Sequence, residues 1–358
     1  MLLESVRGLV EGAARVVVAV PETGPLVTEL QGAGASVVII PMLVLRKALL
    51  RPSNWVRFAR DTMRGFAAAM RLVRRQRPAA IYVSTITIPQ WPLVARLCGV
   101  RSVTHVHEAE ASANIWMNRA LYLPQLSSQK LVVNSGFSLT TMTSAMPSLA
   151  RKSSVVLNGV QPPPLTTPLR VEPEQLRLLF VGRLSPRKGP DLVIDALATV
   201  RRGGLDCRLQ LLGSVFTGYE WYEAALREQV ASYGLEDHVD FLGFRTDVWP
   251  VIDDADIVLV PSRVDEPFGN TAVEAVLAER PVIVSDTSGL REAVAGYASA
   301  RLVEPGDSVA IAEALVRLVA DWEEVRTTTE TSAAAARERH SPERYRERVA
   351  AIVRDLAR

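Results

Sequence analysis

Two glutamates, Glu266 and Glu274, stand eight positions apart in PSRVDEPFGNTAVEA (261–275). One precedes a Pro-Phe-Gly-Asn-Thr turn and the other sits inside an apolar run. A carboxylate can accept two hydrogen bonds from vicinal hydroxyls, the task an acidic residue performs toward a ribose in dinucleotide-binding folds. Upstream, FVGRLSPRKGPDL (180–192) sets Arg183 and Lys188 around a turn built on Pro186 and closed by Gly189. An arginine fork beside a lysine point charge suits a diphosphate. A third candidate is the pair His105 and His107 in SVTHVHEAE, which share one face of a strand at period two.

Each of these has a plainer alternative. Glu266 reads as a solvated loop residue, Glu274 as a surface helix residue, and Arg183 with Lys188 as a solvated basic loop. Either histidine reads as a satisfied strand residue. What weighs against the plain alternative for Glu274 is its company: Ala272, Val273, Ala275, Val276 and Leu277 are all apolar. A carboxylate in a helix buried nearly all round needs a partner.

The elements around these residues place them. RVVVAV, SVVII, AIYVS, SVTHVH and LVVNS in the first half are continuous apolar runs of the buried parallel-strand type. LRLLFVGRL, CRLQLLG, VDFLGF, DIVLVPS and PVIVSD in the second half are of the same kind. Helical patterns such as 54–76 and 221–233 separate them. Between the halves VQPPPLTTPLRVEP (160–173) is too proline-rich for a helix or a central strand. The expected fold is therefore α/β, two doubly wound parallel-sheet domains facing a cleft. Its boundaries are 1–160, a linker at 161–175, and 176–341, with a C-terminal helix (342–358) packing back on the first domain. DIVLVPS is a strand, so 266–271 is the loop at its carboxyl end, where ligands of such sheets bind. Asn270 is expected to cap a helix over 271–279. Gly269 lets the backbone approach a ligand, and the helix N-terminus offers free N–H groups.

Composition narrows the function. Of 358 residues 48% are hydrophobic and 22% charged, and 41 basic side chains against 39 acidic leave a net charge of +2. That balance gives no reason to expect nucleic acid as the main partner. Cys98 and Cys207 form neither a metal-spaced pair nor a disulfide framework, which fits a reducing compartment. No uncharged window reads as a membrane span and the first residues are not a secretory signal. A cytoplasmic protein is expected, or one resting on the inner face of a membrane.

The combination of motifs resembles the retaining glycosyltransferases of family four, which have the GT-B fold. PSRVDEPFGNTAVEA is similar to their E-x7-E signature, VGRLSPRKG to their phosphate loop, VVLNGV (155–160) to their segment before the linker, and LVVNSGFS (131–138) to their last N-domain strand. HVDFLGF and the GLREAV helix after PVIVSD also fit, and the likeness covers about 14–320. It implies a nucleotide-diphosphate-sugar donor held mostly by the second domain and a glycan or lipid-linked acceptor on the first. Glu274 then takes the ribose hydroxyls, and Arg183 and Lys188 the diphosphate, beside Gly182. Glu266 and the backbone of Phe268, Gly269 and Asn270 contact the donor sugar, Gly243 and Phe244 grip the base, and His107 touches the transferred sugar. Catalytic roles fall on His107, Arg183, Lys188 and Glu266. No cofactor is expected beyond the donor as co-substrate. The D-x-D spelled by Asp254 to Asp256, a metal motif of another glycosyltransferase fold, lies at the wrong end of its strand, and no metal is expected. Two alternatives remain open: a GT-B nucleotide-sugar epimerase, and a non-catalytic partner subunit that binds a nucleotide sugar.

Two further expectations come from the first domain. Over 46–77, ten basic residues including Arg46, Lys47, Arg51 and Arg57 face only Asp61, interleaved with Leu43, Leu45, Leu49, Leu50, Trp55 and Phe58. This reads equally as a solvated helix face or as a surface for an anionic membrane. Family members open with a strand and a glycine-rich loop, whereas LLESVRGLVEG is helix-like and leads straight into RVVVAV. The first strand of the N-terminal domain is therefore expected to be absent, through a start site placed too late or a weakened domain.

Overall fold

The computed structural model describes residues 1–45, 55–109 and 114–358, which divide into two units, Met1–Gly159 with Pro342–Arg358 and Val160–Ser341. The first unit runs α1 (Leu2–Glu11), β1 (Val17–Val20), α2 (Pro25–Gly32), β2 (Ser36–Ile39), α3 (Trp55–Gln76), β3 (Ala80–Val83), α4 (Gln90–Leu97), β4 (Arg101–Val106), α5 (Ile115–Tyr122), β5 (Lys130–Val133), α6 (Gly136–Ala145) and β6 (Ser153–Val155). The second runs β7 (Leu176–Val181), α7 (Pro190–Arg202), β8 (Cys207–Leu212), α8 (Glu220–Ser232), β9 (Val239–Gly243), α9 (Trp249–Asp254), β10 (Ile257–Val260), α10 (Asn270–Leu277), β11 (Val282–Ser285), α11 (Ser288–Val294), β12 (Ala300–Val303), α12 (Ser308–Ala320) and α13 (Trp322–Arg339). The last helix, α14 (Pro342–Ala357), belongs to the first unit.

The second unit is one parallel sheet in the order β12-β11-β10-β7-β8-β9. Every residue of β10 and β11 is buried, as their unbroken apolar runs require when helices cover both faces. Two short strands escape a reading of the apolar runs. β12 is an edge strand carrying the half-buried Arg301, and β6 is an edge of three residues without a fully buried position. An edge strand needs less apolar surface than a central one, so its signal is weak. With β6 in place, LVVNS is the penultimate strand of its unit and not the last. The proline-rich stretch 161–175 has no helix or strand, yet it is docked on the second unit. Thr167 N donates to Asp253 at 2.7 Å, Arg170 pairs with Asp256, the Trp322 indole donates to Arg170 O at 3.0 Å, and Leu169 is buried in the core.

The first unit has its parallel strands in two separate sheets, β1-β2 and β3-β4-β5-β6. Among the described residues no further strand pairs with β1 or with the free edge of β3. Polar groups meet nearby. Ser5 Oγ of α1 lies 2.9 Å from the Tyr82 hydroxyl on β3 and 2.7 Å from the Tyr345 hydroxyl on α14. Tyr345, Val349 and Leu356 of α14 bury one face of the four-stranded sheet with Val103, Val132 and Val156. On the other face Val106, Leu131 and Val133 pack with Tyr122, Met142 and Leu149.

Candidate active site

β7 sits mid-sheet with β8 on one side and β10 on the other, so the winding reverses between β7 and β10. The carboxyl ends of strands at such a switch point border the crevice where open parallel sheets bind ligands. The loops leaving those ends are 182–189 and 261–269. They hold Gly182, Arg183, Lys188, Glu266, Phe268 and Gly269, which the fold thus brings to one edge.

The two loops are laced together. Arg263 N donates to Arg187 O at 2.9 Å, and Arg187 Nη2 donates to Asp265 O at 2.6 Å. Arg263 also grips Asp191 with two donors, one at 2.6 Å, while the Tyr222 hydroxyl donates to the same carboxylate at 2.8 Å. Burial works to raise the Asp191 pKa, but these hydrogen bonds and the Arg263 charge prevail and hold it below the usual carboxylate range. Glu266 is 7% exposed and does not lie free in its loop. Its Oε1 accepts from Ser262 Oγ at 2.8 Å and lies 2.9 Å from Lys188 Nζ. Gly289, in α11, makes this loop position possible. A Cβ built on it would lie 1.8 Å from Glu266 O.

Glu274 is half-buried on α10, and among the described residues its carboxylate has no hydrogen bond or ion pair. Burial without a compensating partner pushes its pKa up to about 7. This is the arrangement of a group held ready for a ligand that donates hydrogen bonds. The expected cap is corrected: Gly269, at φ 122°, is the N-cap of α10, and Asn270 is its first helical residue. A glycine can turn the chain there through a backbone region closed to other residues. Phe268 is buried, its ring edge-on to His340 at 5.5 Å between centroids, so only its backbone is available to a ligand. Gly243 closes β9 at φ 68°, and Phe244 beyond it is 74% exposed, an apolar ring standing in solvent at the carboxyl edge.

His107 belongs to the first unit, one residue past the end of β4. Its ring stacks on His105 at 4.0 Å between centroids, confirming that the two share a face. Burial lowers the His107 pKa to about 3 and drives that of His105 well down, so both are neutral at ordinary pH. Among the described residues each leaves Nε2 buried without a hydrogen-bond partner, while His105 Nδ1 lies 2.6 Å from the Tyr82 hydroxyl.

The residues missed in sequence are those that brace the site: Ser262, Arg263, Asp191, Tyr222 and Gly289. Nothing in the spacing links Arg263 to Asp191. Only the adjacency of β7 and β10 does. Asp254 and Asp256 pair with Arg177 and Arg170 at the amino end of β10, away from the site. Among the described residues no group of three His, Cys, Asp or Glu could hold a metal ion, and no helix is long and apolar enough to cross a membrane.

Two units of parallel α/β structure, the second with a switch-point site, define the GT-B fold. The crystal structure of Anabaena HepE in complex with UDP and glucose superposes at a TM-score of 0.79 and 21% identity, covering 99% of this chain and 94% of that one. Residues 167–335 match the family described as Glycosyl transferases group 1. Among curated relatives, a phosphatidyl-myo-inositol mannosyltransferase of Mycobacterium leprae is 36% identical over 145 residues, 40% of this chain and 37% of that protein. The amylovoran biosynthesis glycosyltransferase AmsK of Erwinia amylovora is 32% identical over 182 residues, 49% of this chain and 44% of that one. The chain thus matches less than half the length of these relatives.

Proposed function

We propose that the protein is a retaining glycosyltransferase of family four, carrying the E-x7-E pair Glu266 and Glu274. It transfers a sugar from a nucleotide-diphosphate-sugar donor to a hydroxyl of a glycan or lipid-linked acceptor. The observation that carries this reading is Glu274: a half-buried carboxylate without a hydrogen-bond or ion-pair partner among the described residues, on the helix that follows the β10 site loop. Vicinal ribose hydroxyls supply the two hydrogen bonds it lacks. Arg183 and Lys188, on the adjoining loop, then face the diphosphate. UDP is the first donor base to test, because HepE is held with UDP. The names of the relatives point to polyol or polysaccharide acceptors.

The chemistry follows from charge. As the bond from the anomeric carbon to the phosphate oxygen breaks, negative charge grows on the leaving diphosphate, and fixed cations beside it lower the barrier. No carboxylate is assigned as a nucleophile, so attack by the acceptor hydroxyl on the same face, its proton passing to the departing phosphate, remains the family expectation. Glu266, paired with Lys188, holds the donor sugar and steadies the lysine. His107, neutral, serves as a hydrogen-bonding group to the sugar and not as an acid. The relatives are named as transferases, and nothing in them supports the epimerase or the non-catalytic subunit.

The acceptor-side unit also carries a basic surface. Arg57, Arg60, Arg64, Arg71, Arg74 and Arg75 line α3, with Trp55 63% and Met63 67% exposed among them. Leu43 is buried and takes no part. Arg46, Lys47, Leu49, Leu50 and Arg51 lie outside the described residues. We place an anionic membrane surface against this helix, which would fit a lipid-linked acceptor. Titrating the protein with UDP, GDP and ADP, then assaying the matching sugar donors with inositol and glycan acceptors, tests the main reading. Failure of the parent to bind any of the three nucleotides, or equal binding by Glu274→Ala, overturns it.

A further inference from the structure

We infer that Phe216 is a positioning residue that fixes the guanidinium of Arg183 for the donor diphosphate, which rests on the donor-site reading above. Phe216 lies in the loop between β8 and α8, outside every motif the sequence offers. The Arg183 Cζ stands 3.4 Å from the centroid of its ring. The ring is 54% exposed, so burial does not explain a large apolar side chain at this position. The cation it covers does.

The backbone sets this contact. Gly182 N donates to Leu212 O at 2.9 Å, and Leu184 N donates to Ser214 O at 3.1 Å. These two bonds tie the end of β8 and the loop that follows it to the phosphate loop on both sides of Arg183. Neighbouring arginines spend their donors on the protein: Arg187 on Asp265 O, and Arg263 on Asp191 and Pro186 O. Among the described residues Arg183 makes no hydrogen bond. The ring occupies one face of its planar guanidinium and leaves the in-plane N–H groups, the ones that bind phosphate oxygens in a fork, open. An arginine held by its face needs less ordering when the diphosphate arrives than one moving freely in water.

The test is a double-mutant cycle read by titration calorimetry with UDP, GDP and ADP, alongside thermal unfolding. For the nucleotide that binds the parent, Phe216→Leu is expected to weaken binding by about three- to tenfold, the scale of a partly exposed cation–π contact. Phe216→Tyr, which keeps the aromatic face, is expected to bind like the parent. In an Arg183→Ala background Phe216→Leu should change nothing, and the melting temperature should stay at the parent value in each single variant of Phe216. Unchanged affinity in Phe216→Leu overturns the inference. So does an equal loss in both backgrounds, which would put the ring directly on the donor. If no nucleotide binds the parent, the donor-site reading itself fails and the inference falls with it.

Discussion

Lys188 Nζ stands 2.9 Å from Glu266 Oε1, joining the loop after β7 to the loop after β10. The lysine proposed to face the phosphate is thus held by the carboxylate of a residue that is 7% exposed. Removing one partner strands the other in poor solvent. Lys188→Met should destabilise the protein by about 1–3 kcal/mol, the cost of leaving a buried polar group unsatisfied. Adding Glu266→Gln should recover much of that stability without recovering turnover. Chemical denaturation of the single and double variants, with initial rates, checks both statements. A double variant as unstable as Lys188→Met would refute the pairing.

Glu274, as the proposed ribose-binding group, should make nucleotide binding depend on pH. Its pKa of about 7 means that the hydrogen-bond-accepting carboxylate forms only as pH rises through neutrality. Relative to Glu274→Gln, which does not titrate, the parent should bind its nucleotide about tenfold more weakly at pH 6 than at pH 8. The sign for folding is opposite. The folded pKa lies above the unfolded value of 4.5, so the folded state holds the proton more tightly and loses stability as pH rises from 4.5 through 7. Glu274→Gln should stabilise the empty protein by up to about 3 kcal/mol at pH 8 and by nothing at pH 4. Equal effects at the two pH values would be decisive against this.

Gly289 should tolerate no side chain. The carbonyl of Glu266 lies where a Cβ would go, 1.8 Å from it, and a backbone atom cannot swing aside as a flexible side chain can. Gly289→Ala should displace the Glu266 loop, cost about 1–3 kcal/mol of stability as overpacking does, and cut turnover at least tenfold. Ala293, on the same helix, is fully buried and serves as the comparison: Ala293→Gly should weaken folding with a much smaller fall in turnover per unit of stability lost.

His107 should not titrate in the working range. Burial beside His105 lowers its pKa to about 3, so its imidazole resonances should stay those of the neutral ring from pH 8 down to 5. Because the unfolded chain takes up this proton near 6.5 and the folded one does not, stability should fall as pH drops below 6.5. A measured midpoint near 6.5 by NMR would show the ring to be solvated and the stack absent.

The surface of α3 should bind anionic vesicles. Co-sedimentation with phosphatidylglycerol vesicles but not with neutral ones is expected, fading with added salt. Replacing Arg57, Arg60 and Arg64 by glutamine should reduce it, each basic group near such a surface contributing about 1 kcal/mol. Equal binding to both vesicle types, or to neither, would remove the membrane from the account.

Local pattern decides what local physics controls. Short, β-branched apolar runs such as IVLV and VIVS, bounded by turn residues, fit central strands covered on both faces, and their alternation with helices favours parallel sheets. A carboxylate among Ala272, Val273, Ala275, Val276 and Leu277 is bound to be short of water, so Glu274 could be singled out from its neighbours alone. Pairings between distant segments have no such signature. That β10 lies against β7 is what puts Glu266 on Lys188 and Arg263 on Asp191, and no spacing in the chain encodes it. Edge strands such as β12 bury too little to show in composition, and the N-cap passed from Asn270 to Gly269 because the turn needs φ 122°. The contact of Phe216 with Arg183 belongs to the same class. It exists because two backbone hydrogen bonds bring separate loops together, and an isolated phenylalanine in a loop says nothing of what it will cover.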